Sequence, residues 1–83
     1  MPENQTLLPS LGVLGGTGEQ GRGLALRWSA AGYEVTIGSR SLDRARAEVE
    51  KLNKLHTGVN LTAADNKSAA TSSDIVVLTV PFK

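Results

Sequence analysis

The chain has 83 residues, enough for one small domain at most. Apolar residues make up 40% of it and the net charge is +1, a balance that argues against nucleic acid or a membrane surface as the main partner. The chain contains no cysteine, which excludes disulfide bonds and thiolate metal sites. Without an apolar run of about 18 residues or an export signal, we expect a cytoplasmic protein.

We predict a flexible leader over residues 1–10 and a nucleotide-binding domain over residues 11–83. The first strand, Leu11 to Leu14, is continuously apolar and is therefore expected to be buried on both faces. A glycine-rich stretch follows, and helix one is predicted from Gly18 to Ala31 with Gly32 as its left-handed cap. The sheet-facing stripe of this helix is predicted to contain Gly21, Leu24, Ala25, Trp28 and Ala31.

Strand two is predicted over Tyr33–Gly38, and Ser41 is a suitable N-cap for a second amphipathic helix. Strand three, 59–63, has the alternating pattern of an edge, and residues 65–73 suit one or two helical turns or a loop. Strand four, 74–80, contains the apolar run Ile75 to Leu78 and is predicted to be buried on both faces. The buried stripe of helix two is expected to include Leu42, Ala45, Val49, Leu52 and either Leu55 or His56.

This order of elements predicts an α/β protein, the NAD(P)-binding half of a Rossmann-type fold with a parallel sheet in the order 3-2-1-4. Right-handed crossovers place helices one and two on the same face of that sheet. The other face would be covered by almost nothing, although strands one and four read as buried. We therefore expect an incomplete three-layer fold that lacks a C-terminal domain or needs a second protomer.

The central motif is a dinucleotide fingerprint, Gly16-x-Gly18-x-x-Gly21, between the first strand and the first helix. Its first glycine permits a tight turn, its second lets the backbone approach a pyrophosphate, and its third allows close packing of helix on strand. A P-loop is excluded because Arg22-Gly23 stands where Lys-Ser/Thr is required. The motif therefore predicts pyrophosphate at the N-terminus of helix one.

The end of strand two indicates which dinucleotide is bound. An acidic residue there would hold the ribose hydroxyls of NAD, whereas an arginine accommodates the 2′-phosphate of NADP. Here the strand ends in Ser39-Arg40, and the first acid, Asp43, falls in the first turn of helix two. A serine hydroxyl and a guanidinium can both bind a phosphate, so the sequence favours NADP(H).

Three blocks of the sequence resemble the NADPH-dependent oxidoreductases of the deazaflavin coenzyme F-420: Leu14-Gly-Gly-Thr-Gly-x-x-Gly-x-Gly-Leu-Ala-Leu-Arg27, Gly32-Tyr-Glu-Val-x-Ile-Gly-Ser-Arg40 and Asp74-Ile-Val-Val-Leu-Thr-Val-Pro81. The resemblance runs from Leu11 to the last residue. It implies hydride transfer between NADP(H) and coenzyme F-420, with a C-terminal domain completing the deazaflavin site. Gln20 departs from the family pattern, which usually has an aliphatic residue there.

The resemblance also implies roles for single residues. Gly16, Gly18 and Gly21 would hold the pyrophosphate, with Glu19 and Gln20 in the same loop. The 2′-phosphate would be bound by Thr17, Ser39 and Arg40, with Arg44 in a place often filled by lysine. The corner Thr79-Val80-Pro81 would lie beside the nicotinamide.

No side chain is predicted to act as a general acid, base or nucleophile, and none as a metal ligand. Hydride transfer does not need one, because the cofactors carry the chemistry and the protein supplies geometry. Two alternatives stay open at this point. One is another NADP-dependent reductase with the same N-terminal half, such as an imine reductase or the cytosolic domain of a metalloreductase. The other is a non-catalytic NADP-binding module.

Overall fold

Four short parallel strands, paired side by side, form the centre of the molecule. The computed structural model describes residues 8–15 and 18–79. Along the chain the elements are β1 (Leu11–Leu14), α1 (Glu19–Ala30), β2 (Val35–Ser39), α2 (Leu42–Leu55), β3 (Leu61–Asp65), α3 (Asn66–Ser72) and β4 (Ile75–Leu78). The sheet order is β3-β2-β1-β4, which confirms the predicted α/β class and strand order. In the described part of the chain, no helix has the length and apolar character to cross a membrane.

The main core lies between one face of the sheet and the helices α1 and α2, as predicted. Val13, Val35 and Ile37 are its largest fully buried side chains. Trp28 of α1 packs against this cluster, which confirms a core role for the only tryptophan. Other members of the core are Leu11, Ala25, Val49, Leu52 and Leu61.

Helix α1 ends in the predicted glycine cap. Gly32 has a φ of 104°, and its N–H donates to the Ser29 carbonyl at 3.0 Å. The Tyr33 N–H donates to the Trp28 carbonyl at 3.1 Å, which completes a Schellman motif. Two predicted stripe members are wrong. Leu24 is half-buried and does not pack against the core cluster, and Ala31 is exposed because it already belongs to the cap. Ser29 is buried instead and accepts a hydrogen bond from the Asn60 N–H at 3.0 Å.

Helix α2 begins after the predicted N-cap, since the Ser41 hydroxyl accepts a hydrogen bond from the Arg44 N–H at 3.2 Å. The expected end of its buried stripe is wrong. Leu55 is 67% exposed and His56 is also exposed. Two residues before Leu55, the Asn53 side chain hydrogen-bonds both the N–H and the carbonyl of Leu61, the first residue of β3, at 3.0 and 3.1 Å. Because β3 is the outermost strand on this side of the sheet, no further strand in the described part of the chain covers the end of α2.

The opposite face of the sheet is better covered than the sequence suggests, because α3 packs directly on the strand backbones. Gly12 and Gly38 lie on that face. A β-carbon at Gly12 would lie 2.5 Å from the Ser73 Oγ and 2.9 Å from the Ala69 carbonyl oxygen, and one at Gly38 would lie 2.9 Å from the Ala69 Cβ. Strand β1 is therefore buried on both faces, as predicted, and the expectation that part of it is uncovered is wrong.

Strand β4 is the uncovered part of the sheet. Ile75, Val76 and Leu78 are 46%, 43% and 69% exposed, so the prediction that this strand is buried on both faces is wrong within the described residues. Successive side chains of a strand point to opposite faces, so both faces of β4 present apolar surface. The strand lies at one end of the sheet, where α1 and α2 do not reach it. Here the expected open apolar surface is confirmed.

Candidate functional site

The carboxyl ends of three neighbouring strands meet at one edge of the sheet. Leu14 is paired with Gly38 of β2 on one side and with Leu78 of β4 on the other. The chain continues from β1 to β2 and β3 on one side, then crosses to β4 on the other side. Such a change of direction opens the crevice in which parallel sheets bind ligands. Thr79 follows β4 at this edge.

Most predicted binding residues are brought to this edge. Gly18 and Glu19 to Gly21 follow β1. Ser39 is the last residue of β2, Arg40 follows it, and Thr79 follows β4. Four of the predicted residues lie outside the described ones: Gly16, Thr17, Val80 and Pro81. Their assigned roles stay predictions.

The turn that leaves β1 depends on Gly15, a glycine outside the fingerprint. Its φ is 76°, a conformation that favours glycine. A β-carbon at Gly15 would also lie 2.5 Å from the Thr79 carbonyl oxygen. The Gly15 N–H donates to the Gly38 carbonyl at 3.0 Å, which fixes the start of the loop on β2. This role of Gly15 was not predicted, although two consecutive glycines at the end of a strand were the available signal.

Thr79 fastens the same turn from the β4 side. Its hydroxyl donates to the carbonyl oxygens of Leu14 at 2.8 Å and Gly15 at 3.2 Å, and its N–H donates to Leu14 at 3.1 Å. The hydroxyl hydrogen is thus engaged within the protein. Because its backbone N–H is engaged as well, Thr79 fixes the position of the glycine loop rather than offering a hydrogen-bond donor to a ligand.

The N-terminus of α1 also lies at this edge of the sheet. Gly18 is the N-cap residue, and a β-carbon on it would meet, among the described residues, only the Gly15 carbonyl oxygen at 3.5 Å. The first helical hydrogen bond runs from the Arg22 N–H to the Gly18 carbonyl at 2.9 Å. The three N–H groups before it have no acceptor within the helix, and they lie at the positive end of its dipole. This geometry suits an anion.

The end of β2 supplies hydroxyl and guanidinium groups. Ser39 is buried, and its Oγ accepts a hydrogen bond from the Ser41 N–H at 3.3 Å, which leaves the hydroxyl hydrogen able to donate to a ligand. Arg40 follows it and is exposed, as is Arg44 in the first turn of α2. Two acids lie near this end of the strand. Asp43 is exposed in the first turn of α2, and Asp65 of β3 is paired with Ser39, where its carboxylate accepts a hydrogen bond from the Ser68 N–H at 2.7 Å.

A separate groove runs along the flank of α1. It has a volume of about 450 Å³ and is lined by Glu19, Gln20, Gly23, Leu24 and Arg27. Ser39, Arg40 and Thr79 do not line it, so the groove does not extend to the ends of β2 and β4. Two of the predicted binding residues, Glu19 and Gln20, line this groove. Each can still offer its backbone N–H group to a ligand at the N-terminus of α1.

Comparison with known proteins identifies relatives of this chain. The model of the family described as "NADP oxidoreductase coenzyme F420-dependent" matches residues 10–83. A protein named F420-dependent NADP reductase from Methanothermobacter thermautotrophicus is 42% identical over 81 residues, which cover 95% of this chain and 35% of the relative.

Proteins of the same name from two other organisms are also similar. The relative from Methanothermobacter marburgensis is 41% identical and that from Methanocaldococcus jannaschii is 36% identical, each over 88% of this chain. The chain spans about a third of the length of the curated relatives it matches. The match of sequence over nearly the whole chain, together with the strand order and the glycine loop, assigns it: the chain belongs to the family of coenzyme F420-dependent NADP oxidoreductases.

Proposed function

We propose that this chain binds NADP(H) at the carboxyl edge of its sheet. The observation that carries the proposal is the end of β2, where a buried serine hydroxyl and two exposed arginines stand in place of an acid. An acid in this position would repel a 2′-phosphate, whereas Ser39, Arg40 and Arg44 offer it donors and positive charge.

The rest of the cofactor would follow the edge of the sheet. The pyrophosphate would lie against the N-terminus of α1, where Gly18 leaves room for it, with Gly16, Glu19, Gln20 and Gly21 in the same loop. Thr17 would join the 2′-phosphate contacts. The nicotinamide would lie by the corner of Thr79, Val80 and Pro81. This corner follows β4, the strand that pairs with β1.

For the whole protein we propose hydride transfer between NADPH and coenzyme F-420. The family membership and the names of the three relatives support this activity. The bound nicotinamide supplies the hydride, and the residues described here bind and orient it. The relatives are about three times as long as this chain, so we expect residues outside it to take part in holding the deazaflavin. Another NADP-dependent reductase, or a chain that binds NADP(H) without catalysis, is the alternative.

We also propose that the apolar surface of β4 is covered by further polypeptide or by a second protomer. Its exposed side chains, Ile75, Val76 and Leu78, form one continuous strand with no strand on its outer side in the described part of the chain. Surfaces of this kind mark interaction sites. The cytoplasmic location expected from the sequence stays a prediction.

The proposed function is tested in two steps. The 83-residue chain is titrated with NADPH and with NADH by following the nicotinamide fluorescence, and we expect clearly tighter binding of NADPH. Oxidised coenzyme F-420 is then added with NADPH, and its reduction is followed by absorbance. Equal affinity for the two dinucleotides would contradict the NADP assignment. Binding without F-420 reduction is expected of this chain alone if residues outside it help to hold the deazaflavin, so the non-catalytic alternative is decided by the same assay on the whole protein.

A further inference from the structure

An ion pair joins the helix that follows the glycine loop to the helix that follows β2. The Nη1 of Arg22 in α1 donates to the Oε2 of Glu48 in α2 at 3.2 Å. The Glu48 side chain is only 14% exposed and that of Arg22 is 33% exposed. The pair is therefore partly sheltered from water, where an uncompensated carboxylate is costly.

Glu48 also lies on the same helix as Arg44, one of the proposed 2′-phosphate contacts. It follows Arg44 by four residues, one helical turn or about 6 Å along the axis of α2. Side chains at this spacing lie on the same side of a helix and can form an ion pair. Arg44 thus has two possible anions, the Glu48 carboxylate and a bound phosphate. The Arg22 guanidinium occupies the first of them.

We propose that Arg22 is a positioning residue for cofactor specificity: by neutralising Glu48, it leaves Arg44 available to the 2′-phosphate of NADP(H). This inference rests on the proposed NADP(H) site. Arg22 acts on the cofactor only through Glu48 and Arg44. The same contact joins the first turn of α1, at the pyrophosphate end of the proposed site, to Glu48, which lies one turn after Arg44 in α2.

Removing Arg22 should weaken the binding of NADPH more than that of NADH, which a contact that only joins two helices does not predict. In Arg22→Met the sheltered Glu48 carboxylate loses its partner and attracts Arg44 along the same helix face. Its negative charge also weakens the attraction of that region for a phosphate. NADPH binding suffers, whereas NADH has no 2′-phosphate and is little affected. We expect a threefold to tenfold loss for NADPH, that is about 0.7–1.4 kcal/mol, less than the roughly 1.5–3 kcal/mol of a deleted charged hydrogen bond.

The experiment compares Arg22→Met, Glu48→Gln and the double variant, each titrated with NADPH and NADH and each unfolded in urea. Glu48→Gln should keep the affinity for NADPH or raise it, because no carboxylate then competes for Arg44. The double variant should regain the affinity that Arg22→Met loses. Arg27→Met is the matched control, since it removes the same charge from an exposed position of the same helix. It should leave the preference between NADPH and NADH unchanged.

A second comparison asks whether the effect passes through Arg44. In an Arg44→Met background, Arg22→Met should cause no further loss of NADPH affinity. A purely structural ion pair would instead weaken NADPH and NADH together, in proportion to the loss of stability in urea, and Glu48→Gln would be as harmful as Arg22→Met. That pattern, or a double variant without recovery, overturns the inference while the NADP(H) site stands. A wild-type chain without preference for NADPH overturns both.

Discussion

Gly18→Ala tests whether the glycine at position 18 is required for folding or for binding of the cofactor. The new methyl group would meet only the Gly15 carbonyl oxygen at 3.5 Å among the described residues, and the φ of −78° suits alanine. The fold should therefore lose under about 1 kcal/mol, the preference for glycine over alanine at an N-cap. A methyl group against a bound pyrophosphate costs about 1–3 kcal/mol, which corresponds to roughly a fivefold to 150-fold weaker binding.

The assay is a fluorescence titration with NADPH and NADH, together with urea unfolding. Both dinucleotides share the pyrophosphate, so both affinities should fall by a similar factor. Gly23→Ala is the matched control, because a β-carbon there meets nothing described within 4 Å. It should stabilise α1 by about 0.5–1 kcal/mol and leave binding unchanged. Wild-type affinity in Gly18→Ala would refute the placement of the pyrophosphate at this helix.

Three further predictions concern the sheet and its cover. Gly12→Ala forces a methyl group to within 2.5 Å of the Ser73 Oγ and should cost about 1–3 kcal/mol of unfolding free energy in urea; an unchanged midpoint would show that α3 does not pack there. The Ser68 N–H donates to the Asp65 carboxylate at 2.7 Å and lowers the pKa of that carboxyl below its ordinary 3.8. The carboxylate therefore stabilises α3 fully above pH 3.8, and this stabilisation is lost as the pH falls through the lowered pKa. Urea unfolding at decreasing pH checks this, and Asp65→Asn should remove that part of the pH dependence. Leu78→Lys should make the isolated chain more monomeric in sedimentation, whereas a wild-type monomer that binds no hydrophobic dye would contradict an interaction surface on β4.

The sequence predicted the features that depend on local patterns. The apolar run of Leu11 to Leu14, the serine before α2 and the glycine after α1 each act within a few residues, and each is found where expected. The order of the strands also followed, because right-handed crossovers allow few arrangements of this alternation. The motif that indicated the site lies on the same loop that the topology brings to the carboxyl edge.

The errors arose where distant segments meet. Gly12 and Gly38 are far apart in the chain, yet they lie on one face and let α3 approach both strands. Without the register, neither glycine reveals that role. Strand β4 was misjudged for a related reason, since an apolar strand requires cover but the pattern does not say which segment provides it. The Arg22–Glu48 pair, between residues 26 positions apart, could not be read from the sequence either.

The most direct test of the account is the dinucleotide preference of Arg40→Ala. If Arg40 binds the 2′-phosphate, the lost charged hydrogen bond of about 1.5–3 kcal/mol weakens NADPH roughly tenfold to hundredfold and leaves NADH nearly unchanged. Arg46→Ala, which removes the same charge from an exposed position on α2, should change neither affinity appreciably. Equal losses of NADPH and NADH in Arg40→Ala, or no loss of either, would contradict the assignment of this edge to NADP(H).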